Sequence, residues 1–222
     1  MLVGTGWIVY DLASSDRFQV RSVRVTGATL LSPAEIEQAA AVTGANVFWI
    51  DRGQVEQRVR TLPVVVQVDV TPELPDRVSV HVVERQPSAY WISGDQPYVV
   101  DSQGVILKPV SGEDPADLPS VVQPRGPALR PGDRVDPTVL SATARLRTLL
   151  PASGIQPLAF EWSTEDGLEV PTSEGWRARF DPRAGDIDHQ IEALKAVHGY
   201  LGRNKLPAEL IDVRFGDRPY YR

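Results

Sequence analysis

The chain has 222 residues, enough for two small domains or one large one, and its 23 basic and 29 acidic residues give a formal net charge of −6. With the basic residues scattered along the sequence, that balance argues against a general nucleic-acid binder. Cysteine is absent, which excludes a disulfide framework and a thiolate metal site.

Met1 to Tyr10 is mostly apolar, with Trp7 and Tyr10 near the end of the run and Asp11 breaking it. Ten residues of helix reach only ~15 Å, against a hydrocarbon core of ~30 Å, so the segment is too short to cross a bilayer as written. No basic residue precedes Arg17, which argues against a cleaved signal peptide. Two readings remain. One is a frayed or surface-packed terminus; the other is the outer half of a signal anchor, with its aromatics at the membrane interface.

Residues 18–86 read as a β-α-α-β-β unit. Val23 and Val25 alternate with Arg24 and Thr26, the period of a half-buried strand, and Gly27 ends it. Ser32-Pro33-Ala34-Glu35 opens a helix, with Ser32 as N-cap, Pro33 at the first helical position and Glu35 closing a capping box. Its apolar stripe is Ile36, Ala39 and Ala40, and Gly44 is a fitting stop. Asp51 and Gln54 repeat the capping pattern ahead of Val55, Val59 and Leu62, and Pro63 ends the second helix. Val64, Val66, Val68 and Val70 are expected on one face of the next strand. Leu74-Pro75-Asp76-Arg77 is the turn, and Val78, Val80 and Val82 return on its partner. A small sheet covered by two helices buries these faces, with Val23, Val25, Ile36, Val55, Val59, Val66, Val68, Val80 and Val82 in one core.

Past Pro87 the pattern becomes β-rich. Tyr98 to Leu107 reads as a hairpin turning at Asp101 to Gly104. Seven prolines between Pro109 and Pro137 mark loop with one or two brief strands, as around Leu118 to Val122. Leu140, Ala144, Leu146, Leu149 and Leu150 predict a modest helix ending at Pro151. Strands are expected at 158–162, 168–170 and 176–180, with turns at Glu165-Asp166-Gly167 and Ser173-Glu174-Gly175. A long helix follows from about Asp186 to Gly202, carrying Ile187, Ile191, Leu194 and Leu201 on one side, and a strand from Leu210 to Phe215. The fold class is therefore α+β.

Catalytic motifs are missing from the sequence: no G-x-S-x-G, H-E-x-x-H, P-loop or complete G-x-G-x-x-G occurs. Of the three histidines, His81 has surface parity on its strand and His198 falls on the apolar stripe of the long helix. His189, nine residues before His198, lies about 180° away around the helix. Asp186, Asp188 and His189 are the one grouping that suggests a metal, but acidic residues in a first helical turn are more simply explained by the helix dipole. Trp49, Trp91, Trp162 and Trp176 are spread over different elements, as core anchors would be. Neither metal nor cofactor is expected, and binding is left as the function.

Several segments together carry a family resemblance. Phe18…Val23-Arg24-Val25-Thr26-Gly27, Leu31-Ser32-Pro33-Ala34-Glu35-Ile36, Asn46-Val47-Phe48 with Ile50-Asp51, and Leu74-Pro75-Asp76-Arg77-Val78 resemble a POTRA domain. Val83-Glu84-Arg85-Gln86-Pro87-Ser88-Ala89-Tyr90-Trp91 is similar to the variant of the bacterial cell-division family FtsQ, or DivIB, and Ile211-Asp212-Val213-Arg214-Phe215 to that family's last characteristic segment.

The resemblance implies a remnant of a membrane anchor at 1–12, a POTRA domain at 18–86 and an FtsQ-type β domain with one long helix at 87–222. It also implies a single-pass, non-enzymatic scaffold whose two domains lie outside the cytoplasm at the division septum. Its partners there would be the division proteins FtsB and FtsL. In the family FtsB adds a strand at the end of the β domain, which implies Arg214 and Phe215 as partner-binding residues. Gly216, where the family commonly has Asp, Tyr220 and Tyr221 extend that surface. Along the final strand Ile211, Val213 and Phe215 alternate with Asp212 and Arg214, so one face packs on the core and the other faces solvent. Phe215 gives the partner an apolar contact or fills the core. On this reading Arg214 pairs with a partner carboxylate, so that Arg214→Glu leaves thermal stability nearly unchanged. The alternative is a POTRA-containing module of an outer-membrane assembly or secretion system, but the barrel strands such proteins carry have no counterpart here.

Overall fold

The computed structural model of the chain describes residues 15–110, 117–216 and 218–222, and the chain divides into two compact units between Arg85 and Gln86. The anchor remnant expected at 1–12 lies outside the described residues. Among the described residues no helix is long and apolar enough to cross a membrane.

Unit 1 has the expected order: β1 (Ser22–Thr26), α1 (Pro33–Ala40), α2 (Arg52–Val59), β2 (Val65–Glu73) and β3 (Arg77–Glu84), with short 3-10 turns at Asp16–Phe18 and Val47–Trp49. Its sheet runs β1-β3-β2, with β1 parallel and β2 antiparallel to β3. The capping box at Ser32 is complete, and at Asp51 the N-cap half is present. Ser32 accepts from the Glu35 backbone N–H while the Glu35 carboxylate accepts from the Ser32 backbone, and Asp51 accepts from the N–H of Gln54. Helix α1 stops three residues earlier than Gly44 suggests, because Ala41 itself takes the left-handed cap at φ 48°. Ile36, Ala40, Val55, Val59, Val68, Val70, Val78, Val80 and Val82 fill one core, with Val23 and Val25 packed against it.

Two expectations in this unit need correcting. Val66 is 53% exposed and outside the core. Val65 pairs with Glu84 but Gln67 pairs with Val83, so three residues of β2 span two of β3 and Val66 is the extra one. That bulge breaks the alternation, and Val65 is buried in its place. Trp49 is no core anchor either, being 64% exposed; Val47 takes the inward position of its 3-10 turn.

Glu84, at the end of β3, is buried and fully satisfied. Its carboxylate accepts from the backbone N–H groups of Thr29, Leu30 and Leu31 at 2.7–3.0 Å and from the Thr29 hydroxyl at 2.6 Å. It pins the loop leaving β1. Gly27, where that loop begins, has φ 84°, and a Cβ there would lie 2.1 Å from the Val82 carbonyl oxygen.

Unit 2 is built on a mixed sheet of nine strands among the described residues. Its strands are β4 (Pro87–Ser93), β5 (Gln96–Asp101), β6 (Ile106–Pro109), β7 (Ser120–Gln123), β8 (Glu161–Ser163), β9 (Gly167–Pro171), β10 (Arg177–Phe180), β11 (Leu210–Asp212) and β12 (Tyr220–Tyr221). They lie in the order β12-β11-β10-β9-β8-β7-β4-β5-β6. Helices α3 (Pro137–Ala152) and α4 (Ile187–Asn204) share one core with the sheet residues Trp91, Trp162, Leu168, Val170, Phe180 and Ile211. Helix α3 ends at Ala152, one residue past the expected Pro151, which sits in its last turn. The β5–β6 hairpin turns as expected: the Asp101 side chain accepts from the N–H groups of Gln103 and Val105.

Candidate functional site

Side chains alternate along a strand. The positions that put Trp162, Leu168, Ala178 and Ile211 against the helices therefore send Glu161, Glu169, Arg179 and Asp212 to the opposite face of the sheet. These four, with Tyr220, are register partners in sequence: Glu161 with Glu169, Glu169 with Arg179, Arg179 with Asp212, and Asp212 with Tyr220. A polar row thus crosses five strands on the face away from the helices.

The row is tightly bonded inside. Glu169 accepts from Arg177 Nη1 and Arg179 Nε, each at 2.7 Å, and Arg179 reaches Asp166 at 3.1 Å. Burial would raise the Glu169 pKa, but the hydrogen bonds and charge of the two arginines outweigh it and hold the carboxyl below its ordinary value. Above it lies a groove of about 490 Å³, lined among others by Arg125, Glu161, Asp166, Glu169, Arg177 and Arg179.

At the end of the row the chain turns a corner. The strand expected over Leu210 to Phe215 ends at Asp212; Val213 is buried, residues 214–216 form a turn, and the chain returns as β12. The expected solvent-facing role of Asp212 and Arg214 does not hold. Asp212 is 0% exposed, and Arg214 donates to both its oxygens at 2.8–3.1 Å, with its side chain only 19% exposed. The Arg214 backbone N–H and the Tyr220 hydroxyl complete the shell, each at 3.1 Å. Burial pushes the Asp212 carboxyl up; these donors more than reverse it, leaving the pKa lowered. Arg214 also donates to the Glu165 carbonyl at 3.3 Å, tying the β8–β9 turn to the end of β11.

Phe215, Gly216, Tyr220 and Tyr221 all lie at this corner, with Tyr220, opposite Asp212, and Tyr221, opposite Ile211, on opposite faces of the sheet edge. Phe215 is 59% exposed, so it does not fill the core, and its ring stacks on Tyr220 at 6.4 Å. Gly216, at φ 59°, makes the turn between them. Among the described residues β12 is an edge of the sheet and β11 is not, being paired on both sides. Arg222 and Leu210 exchange both backbone hydrogen bonds, so in an antiparallel ladder the N–H and C=O of Tyr221, one residue before, point away from β11. Sequence reasoning missed this two-residue strand. The adjacent tyrosines were its only local signal.

The remaining polar candidates have structural partners. Asp186 caps α4, accepting from the Asp188 N–H, and the Asp188 carboxylate is paired with Arg145. His198 bonds Glu174 at 3.2 Å and lies over Trp176; His81 bonds Thr26 on the surface. No group of three or more His, Cys, Asp or Glu residues is arranged to hold a metal among the described residues.

A β-α-α-β-β unit followed by a mixed sheet backed by two helices defines a POTRA-bearing protein with a β-rich second domain. Residues 18–85 match the family model of the FtsQ-type POTRA domain, and residues 89–214 that of the cell division protein FtsQ/DivIB C-terminal region. The chain belongs to the FtsQ/DivIB family of cell-division proteins. It is 30% identical over 216 residues to cell division protein FtsQ of Chloroflexus aurantiacus, covering 97% of this chain and 77% of the relative. With FtsQ of Myxococcus fulvus it shares 31% identity over 236 residues, covering 99% and 80% of the two chains. With FtsQ of Streptomyces bingchenggensis the match is 34% over 113 residues, covering 49% and 42%.

Proposed function

We propose that this protein is a bitopic membrane scaffold of the division machinery that works by binding and not by catalysis. Residues 1–12 are the remnant of its anchor, and the POTRA unit at 18–86 and β unit at 87–222 lie on the extracytoplasmic side, at the septum. The β unit holds partners of the FtsB and FtsL type, and the POTRA unit serves recruitment. One observation carries the reading. The edge strand β12 offers the outward N–H and C=O of Tyr221 beside an exposed Phe215–Tyr220 stack. An edge of this kind accepts an added strand, the backbone supplying affinity and neighbouring side chains supplying specificity. Phe215, Gly216, Tyr220 and Tyr221 then contact the partner. Arg214, already committed to Asp212, holds the corner in shape.

The test is Tyr221→Pro, which removes the outward donor and leaves the bonds to β11 through Asp212 and Leu210. Co-purification of an FtsB-type partner should be lost while the thermal midpoint stays close to the parent's. Undiminished capture by a folded Tyr221→Pro chain would move the interface away from β12.

A further inference from the structure

Unit 1 exposes two adjacent aromatic residues, Phe48 and Trp49, on one short turn. Val47 faces the core, and at the tight pitch of a 3-10 turn the next two residues, Phe48 and Trp49, are turned outward. Both are exposed, and Trp49 is among the most exposed large apolar residues in the chain. A lone exposed aromatic needs no explanation, but this pair joins a third ring: Phe18 lies 5.1 Å from Phe48, centroid to centroid.

The position of the cluster is as telling as its chemistry. Phe18 closes the 3-10 turn that opens the described chain, and the segment behind it is bonded to the loop before Phe48. Gln19 and Asn46 form a β-bridge, the Val20 N–H donates to the Ala45 carbonyl, and the Gly44 N–H to the Val20 carbonyl. The aromatic cluster is thus fixed where the chain arrives from the apolar run Met1 to Tyr10. From Tyr10 to Ser15 is five residues, a reach of at most about 18 Å even fully extended. Whatever layer holds the apolar run also has the cluster close by. At the resulting high effective concentration, even a weak contact is populated.

Cations stand in the segments that carry the cluster. Arg17, Arg21 and Arg52 are exposed and fall within three residues of Phe18 or Trp49 in sequence, and the Arg17 guanidinium lies 5.9 Å from the Phe18 ring centroid. Of the neighbouring acids, Asp16 accepts from the Gln19 side chain at 2.7 Å, Asp51 caps α2, and Asp76 meets Arg21 through its backbone carbonyl. Aromatic rings with outward arginines are the composition of a bilayer interface, where the ring sits at headgroup depth and the cation meets lipid phosphate.

We propose that Phe18, Phe48 and Trp49, with Arg17, Arg21 and Arg52, form a lipid-contacting foot that seats unit 1 on the headgroup layer of an anionic bilayer. This rests on the anchor reading of residues 1–12. The foot fixes the tilt of unit 1 on the membrane, which a flexible tether alone would leave free.

The natural absence of cysteine gives a clean assay. An Ala45→Cys chain carries a single thiol beside the foot for a polarity-sensitive dye; Ser173→Cys, in unit 2, is the control. Each full-length chain, with an N-terminal histidine tag, is tethered to phosphatidylethanolamine–phosphatidylglycerol vesicles containing a nickel-chelating lipid, so attachment does not depend on the apolar run. The expected result is a blue shift of the dye at position 45 and none at 173, abolished by Phe48→Ser with Trp49→Ser and reduced on uncharged phosphatidylcholine vesicles. A water-like dye at position 45 on the tethered chain, or an equal shift at both positions, overturns the foot. Flotation of untagged chain with vesicles lacking the chelator reads the anchor separately, so the two ideas fail in different experiments.

Discussion

Arg214 closes over Asp212, donating to both oxygens of a carboxylate that has no exposure of its own. The Arg214 backbone N–H and the Tyr220 hydroxyl bond the same carboxylate, so one buried charge holds the turn after β11 and the return of β12. The proposed docking edge therefore exists because of an internal ion pair. Mutations at Arg214 report on fold and binding together.

Replacing Arg214 should accordingly cost stability, against the expectation that a solvent-facing arginine could be reversed without penalty. Arg214→Ala leaves Asp212 buried with its charge uncompensated, at a cost of about 2–4 kcal/mol. Arg214→Glu, which sets a like charge against it, should be worse. Tyr220→Phe removes only one bond to the carboxylate, a loss of about 1 kcal/mol. Denaturant titration of the three variants checks the order. An Arg214→Glu chain as stable as the parent would show the pair to be dispensable.

The β2 bulge makes a second, sharply divided prediction. Val66→Asp should change stability by no more than about 0.5 kcal/mol, since its side chain already meets water. Val68→Asp, two residues on and buried against the helices, should unfold unit 1 or lower its denaturation midpoint severely. Similar losses in both would mean that β2 is paired without the bulge.

The contrast between Val66 and Val68 also marks how far local sequence reaches. Ser32, Glu35, Asp51 and Gln54 declare the helix starts because capping is settled within four residues, and the Val78–Val80–Val82 alternation needs only the pleat. The bulge cannot be read from Val64-Val65-Val66: whether the period slips depends on which β3 residue stands opposite, a relation across some twenty positions. Trp49 fails for a similar reason, because Val47 and Trp49 are both apolar and only the assembled core decides which turns inward. The corner at Asp212 was half visible. Ile211 and Val213 predicted an inward face, but two residues of β12 carry too little pattern to announce a strand, and without β12 and Arg214 in place Asp212 looks exposed.

Acid should loosen unit 2 through its buried and half-buried carboxylates. Burial alone would raise the pKa values of Asp136, Glu169 and Asp212, but hydrogen bonds and nearby arginines outweigh it, and all three are lowered in the fold. Each folded-state value then lies below the unfolded one. The ionised fold has its full advantage above the unfolded carboxylate range of about pH 4, and loses it as pH falls through the folded values. The thermal midpoint should thus be insensitive to these groups between about pH 5 and 7 and should fall progressively below pH 4. Asp212→Asn should flatten the acid limb while lowering the plateau. A variant with an unchanged acid limb would remove Asp212 from the cause.

Glu84 tests whether the end of β3 is held by charge or by shape. Its carboxylate meets three backbone N–H groups and one hydroxyl from residues 29–31. Burial raises its pKa and these four donors lower it further than burial lifts it, so the group is ionised in the fold at neutral pH. Glu84→Ala strands several donors at once and should cost about 2–4 kcal/mol, while Glu84→Gln keeps the shape but replaces one acceptor oxygen with a donor facing N–H groups, and should recover less than half of that loss. Thr29→Val, which deletes only the hydroxyl bond, should cost about 1 kcal/mol. Hydrogen exchange at the amides of Thr29, Leu30 and Leu31 gives the direct measurement: protection should collapse in Glu84→Ala and persist in Thr29→Val. Equal protection in both variants would mean that packing around Leu31, and not the carboxylate, holds the loop.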